Sequence, residues 1–160
     1  MNIKKMEEKD IKAVSAICIA SFSKSVASTL SEEGVLTFAK IAASDAFLNR
    51  MHEDNLMLIA ECDGKIEGVI ELKEGRHIAM FFVKPEQQNR GIGRKLLSSA
   101  LSYARAGTVT VSASLSSVPV YKKYGFECKG EIGEIAGLVY QPMEIELNKS
   151  TQPIANASAD

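Results

Sequence analysis

The chain has 160 residues, enough for one compact domain and too few for two. Hydrophobic residues make up 46% and charged residues 24%, which excludes a chain disordered throughout; 19 Lys and Arg against 20 Asp and Glu leave a net charge of −1, with no overall basic field for nucleic acid or anionic lipid. The first ten residues contain no apolar leader core and the chain has no run of about 18 apolar residues, so the protein is expected to be soluble, reduced and cytoplasmic.

Ile3 and Met6 mark a short first strand. Asp10 is placed to cap a helix whose Ile11, Val14, Ile17 and Cys18 recur at the spacing of one buried face, running to about Phe22. After a loop-like stretch from Ser23 to Thr29, Ser31 starts a second helical region through Val35, Leu36, Phe38 and Ile41, continued by Phe47, Leu48 and Met51. The apolar run Leu56 to Ala60, the pair Asp63-Gly64 and the run Ile66 to Leu72 together read as a hairpin, because both turn residues tolerate positive φ. A second turn at Glu74-Gly75 leads into His77 to Val83, an apolar central strand that stops before Pro85.

From Gly91 the period becomes helical, through Ile92, Leu96, Leu97, Ala100, Leu101 and Ala104, until Gly107. Thr108 to Ala113 reads as a strand, Val118 to Tyr124 as a short helix stopped by Gly125, and Phe126 to Ile132 with Leu138 to Leu147 as a closing strand pair. The residues from Ser150 onward cannot hold a core and are expected to be a mobile tail. This order predicts a three-layer α/β (α+β) fold with helices on both faces of a mixed sheet. Cys18, Cys62 and Cys128 lie far apart with no CxxC pair, so they read as packing residues and no metal is expected.

The densest chemical signal is Gln88-Asn89-Arg90-Gly91-Ile92-Gly93-Arg94-Lys95, between the central strand and the long helix. A helix N-terminus presents unpaired N–H donors and partial positive charge, glycines allow close approach, and Arg90, Arg94 and Lys95 add full charges, which together suit a pyrophosphate. The plainer alternative is a tight strand-to-helix turn. The run has neither the GxxxxGK[ST] of a Walker loop nor the third glycine and acidic partner of a dinucleotide fold.

It does resemble the Q/R-x-x-G-x-G/A signature of the GNAT superfamily of N-acetyltransferases, through Gln88, Gly91 and Gly93. Phe82-Val83-Lys84-Pro85 resembles that family's strand exit, Val120-Tyr121-Lys122-Lys123-Tyr124-Gly125-Phe126 its second motif, and Gly137 to Glu144 the final strand of a bacterial subgroup. The resemblance implies a GNAT-like, mostly antiparallel seven-stranded sheet over residues 1–148, with 149–160 left as the tail. It implies acetyl-CoA as co-substrate and a small-molecule or peptide amine as acceptor. No nucleic acid or membrane partner is expected, and a homodimer is a permitted assembly.

The cofactor is expected to meet backbone groups of Phe81, Phe82 and Val83, the loop Gln88 to Lys95, and Ser114 and Ser117, which stand where many members carry Asn and Ala. By the same resemblance Tyr121 is the acid for the departing thiolate; its alternative is a packing tyrosine. Strict alternation along the central strand puts His77 on the face of Phe81 and Val83, where imidazole can serve as base, the alternative being a structural histidine. Glu71 is the second candidate base, or else a solvated edge carboxylate. Residues Phe22–Arg50 and Glu127–Tyr140 are expected to surround the acceptor; Glu131 and Glu134 either attract a cationic amine or are surface charges. The competing function is a catalytically weak CoA-binding regulatory or interaction module of the same fold.

Overall fold

The computed structural model describes residues 1–147. The predicted tail at 149–160 lies outside them. The elements run β1 (Asn2–Lys5), α1 (Ile11–Ser25), α2 (Glu32–Ile41), α3 (Ser44–Met51), β2 (Asn55–Cys62), β3 (Lys65–Lys73), β4 (His77–Val83), α4 (Ile92–Leu101), β5 (Thr108–Ala113), α5 (Val118–Lys123), β6 (Glu127–Cys128), β7 (Gly133–Ile135) and β8 (Leu138–Glu146). Both predicted turns form as the residue types require: Asp63 and Gly64 have φ of 51° and 78°, and Glu74 and Gly75 of 54° and 66°.

The strands order as β1-β2-β3-β4-β5-β8-β6, with β7 also pairing β8. Only β4 and β5 are parallel; the other pairings are antiparallel. Eight strands replace the expected seven. The predicted strand from Phe126 to Ile132 ends at Cys128, Gly130 takes a left-handed φ of 74°, and the long β8 picks up two short partners instead of one.

Each sheet face carries its own core, which makes the predicted three layers. On one side Val14, Cys18 and Phe22 of α1, Phe38 of α2 and Phe47 of α3 pack on Met57, Ile59 and Val69. On the other, Leu96, Leu97 and Ala100 of α4 pack on Leu58, Ile70, Leu72, Val109 and Val111. The run in β2 is apolar throughout because it is an interior strand covered on both sides. Ile59, Ile70 and Leu72 retain at most 1% of their surface, and burying each such side chain is worth about 1.5–3 kcal/mol.

Several local expectations shift. Helix α1 continues past Phe22 to Ser25. Asp10 precedes it, but its carboxylate accepts the Glu7 N–H at 2.9 Å, holding the preceding turn instead of capping α1. Ser31 caps α2 as expected, accepting the Gly34 N–H. The three cysteines are free; Cys18 is buried, whereas Cys128 is exposed rather than packed. Among the described residues no helix is long and apolar enough to cross a membrane, and no His, Cys, Asp and Glu cluster could hold a metal.

Candidate active site

The site is made by a break in the sheet. β4 and β5 pair only at His77↔Thr110 and Ile78↔Val111, then diverge. A cavity of about 320 Å³ occupies the opening, bordered by Ala79 to Phe82 of β4 and Val111 to Ser114 at the end of β5.

The backbone of β4 is aimed by a bulge. Glu71 pairs with Met80 and Leu72 with Ile78, which leaves Ala79 without a partner on β3. Beyond the bulge, the Lys84 N–H donates to the Glu67 carbonyl at 2.8 Å. Hydrogen-bonded pairs alternate along an antiparallel ladder, so Phe82↔Val69 and Met80↔Glu71 are the bonded pairs and the amide edges of Phe81 and Val83 turn away from β3 into the opening. The Val83 carbonyl is taken by the Ser21 hydroxyl at 3.3 Å and the Gln88 side-chain amide at 3.2 Å. Phe82 is the exception within the expected trio: its amide serves β3, and its ring stands on the α1 side against Phe38, with centroids 5.6 Å apart.

The bulge also overturns the placement of His77. Ile78, Phe81 and Val83 all face the α4 core, whereas Met80 and Phe82 face the α1 core, so alternation is interrupted at Ala79. His77 therefore lies on the face opposite Phe81 and Val83. Its Nδ1 is 2.7 Å from the Thr110 hydroxyl at the closed end of the opening, and it does not border the cavity. Burial, reinforced by Arg76 and Lys73, holds its pKa below the ordinary value.

Glu71 is neither a solvated edge carboxylate nor a cavity residue. It sits on an interior strand, fully buried, and receives the Arg50 Nε–H at 2.9 and 3.2 Å. Arg50 Nη1 donates to the Ile41 carbonyl at 2.9 Å. Burial pushes the Glu71 pKa up against the pull of Arg50.

Tyr121 borders the cavity from α5, 7% exposed, with its ring edge-on to Phe81 at 6.0 Å and to Phe126 at 5.2 Å. Burial, with Tyr124 a lesser cause, raises its pKa, so the phenol keeps its proton at neutral pH. Ser114 and Ser117 also border the cavity and hydrogen-bond to each other through their hydroxyls.

The loop lies one step further along the same edge. Gly91 takes φ 82° at the start of α4, which an L side chain rarely adopts, and nothing lies within 4 Å of where its Cβ would be. At Gly93 a Cβ would come within 2.8 Å of the Tyr124 hydroxyl, so a larger residue there would push that ring tip aside. The first α4 backbone bond runs from Lys95 N–H to the Gly91 carbonyl, so the amides before Lys95 point out of the helix end. Asn89, Arg90, Arg94 and Lys95 are exposed, and the Arg94 guanidinium lies 5.3 Å from the Tyr124 ring centre. The Ile92 side chain is buried in the α4 core, so only its backbone can meet a ligand.

The α1 side of the cavity was least visible in the sequence. Phe22, Val26, Leu30, Phe38, Ile41 and Leu138 form its wall, within the two segments expected to surround the acceptor. Glu131 and Glu134 are exposed and border no part of it. α2 and the turn between β7 and β8 meet over this wall: the Thr37 hydroxyl donates to the Ala136 carbonyl at 2.7 Å, and Gly34 and Gly137 touch backbone to backbone.

A family model described as an acetyltransferase (GNAT) domain matches residues 26–147. Among characterised proteins, the spermidine N(1)-acetyltransferase of Escherichia coli strain K12 is 23% identical over 107 residues, covering 59% of this chain and 58% of that protein. The chain thus matches less than two thirds of that relative. Among solved structures, a GCN5-related N-acetyltransferase from Rhodopseudomonas palustris matches with a TM-score of 0.79 and 27% identity over 91% of this chain and 95% of that one. PaiA N-acetyltransferase from Thermoplasma acidophilum, solved in complex with coenzyme A, matches in fold with a TM-score of 0.74 and 23% identity over 91% and 98%.

Proposed function

The chain belongs to the acetyltransferase (GNAT) domain family, and from that premise we propose that it transfers an acetyl group from acetyl-CoA directly to a primary amine, with both substrates bound at once. The observation that carries this reading is the opening between β4 and β5, into which the Phe81 and Val83 amide edges project while Tyr121 faces them from α5.

The pantetheine arm would lie along β4 as a substitute strand, taking the backbone bonds that β5 leaves unmade. The diphosphate would rest on the N-terminal amides of α4, with Arg90, Arg94 and Lys95 supplying charge. The amine nitrogen attacks the thioester carbonyl carbon, and negative charge develops on the carbonyl oxygen, where an N–H from the Phe81 edge is suited to receive it. As the carbon–sulfur bond breaks, the Tyr121 hydroxyl gives its proton to the sulfur, while the attacking nitrogen loses a proton to water in the cavity. His77 and Glu71 are each engaged elsewhere, so neither is assigned the base.

A CoA-binding module without turnover would have no use for a phenol at this place. Acetyl-CoA with a panel of amines, followed by release of free thiol, separates the two. Tight CoA binding without amine-dependent thiol release would establish the module and end the transferase reading.

A further inference from the structure

Among the described residues, no Asp, Glu, Lys, Arg or His borders the cavity. Its polar groups, Ser112, Ser114, Ser117, Tyr121 and Tyr140, come from β5, the segment after it, α5 and β8; the α1 and α2 contribution is aliphatic and aromatic throughout. There the Phe22 and Phe38 rings stack at 3.9 Å. On nearby elements Glu32, Glu33 and Glu134 are exposed, Glu71 is held by Arg50, and Glu67 of β3 is buried 3.8 Å from Lys84 with its Oε2 unpartnered; none of these carboxylates borders the cavity.

We infer that the acceptor is a primary amine carried on a small, uncharged apolar body, and that polyamines are excluded. This rests on the acetyl-transfer reading of the same cavity. The arm of the donor is accommodated on the α4 side, where the loop, Phe81 and Tyr121 lie, so the acceptor reaches the thioester from the apolar side. Two physical consequences agree. An apolar surround favours the uncharged form of an amine, which is the nucleophilic form. A second or third ammonium held inside the cavity would be stripped of water with no carboxylate in the lining to replace it. At about 320 Å³, part of it needed for the thioester, the cavity is at the small end of ligand sites and suits one ring or a short branched chain.

The test measures binding and turnover separately, on the full chain saturated with CoA, using 2-phenylethylamine and 3-methylbutylamine against spermidine and putrescine. Calorimetry should show each apolar amine binding at least about tenfold more tightly than either polyamine. Leu138→Glu, at the half-buried rim, should weaken 2-phenylethylamine by about tenfold and narrow the gap to spermidine, with folding checked by thermal melting. Polyamines binding as tightly as the apolar amines would overturn the inference, and thiol release with spermidine would then leave the transferase reading intact. Apolar amines that bind but release no thiol would sustain the inference about the pocket and remove the transferase reading. Should neither class bind while octanoyl-CoA binds more tightly than acetyl-CoA, the wall holds an acyl chain and the inference is wrong. Failure of both amine classes without that preference overturns it too.

Discussion

Arg50 of α3 and Glu71 of β3 form a charge pair inside an apolar layer, Nε to Oε2 at 2.9 Å, with the carboxylate wholly buried and the guanidinium side chain 21% exposed. A buried pair of this kind costs desolvation to form, and breaking it from one side costs more than replacing both halves. Arg50→Met, which strands the carboxylate, should destabilise the protein by about 3–5 kcal/mol, whereas the double variant Arg50→Met with Glu71→Leu should recover much of that loss. Urea denaturation of the three proteins checks this. A single variant no less stable than the double would show that the pair is not held as a unit.

Tyr121→Phe keeps the ring that packs on Phe81 and Phe126 and removes only the hydroxyl. Turnover should fall by about a hundredfold or more, the usual contribution of a positioned acid, while the dissociation constant of CoA stays within about twofold. Equal turnover in the two proteins would leave Tyr121 a packing residue and the thiolate to solvent.

Gly91 has room for a side chain but not the backbone for one. In Gly91→Val the domain should fold, because nothing obstructs the Cβ, yet a β-branched residue at φ 82° forces the loop to rearrange and disperses the amides at the start of α4. CoA affinity should drop about tenfold or more by calorimetry, with thermal melting reporting the fold. An unchanged affinity in the folded variant would place the diphosphate elsewhere.

For His77, protonation opposes the folded state. Its folded pKa is depressed below the ordinary 6.5 by burial, so unfolding takes up a proton as pH falls between those values. The stability that wild type holds over His77→Gln should therefore be present above pH 6.5 and shrink as pH falls through the lowered pKa. The low-pH limb of kcat/KM, corrected for ionisation of the amine, should be the same in both. A limb that disappears with the imidazole would restore His77 as the base.

The parts of the fold that could be read from the chain were those fixed by local chemistry. Asp63-Gly64 could make only a tight hairpin, Ser31 could cap only the helix directly after it, and the glycines around Gly91 announced the turn into α4. The unpaired Ala79 carries no such mark, because a bulge depends on the register of β3 against β4 and alanine fits either arrangement. Missing it placed His77 on the wrong face. Glu71 misled for a related reason: whether a carboxylate in a strand faces water depends on strand order and on Arg50, twenty-one positions away. The apolar wall of the cavity was hidden because Phe22, Phe38 and Leu138 look like ordinary core residues and become a boundary only where β4 and β5 part.

That parting has a mechanical meaning. Strands β1 to β4 form one plate and β5 with β8 and its short partners another, and the backbone seam between them is two residue pairs long. A molecule lying along β4 would complete the seam that the chain leaves open. The protein should then be stiffened as well as loaded by its first ligand, with amide protons along Thr108 to Ala113 exchanging with solvent more slowly once it is bound, and the two plates resisting heat as one body.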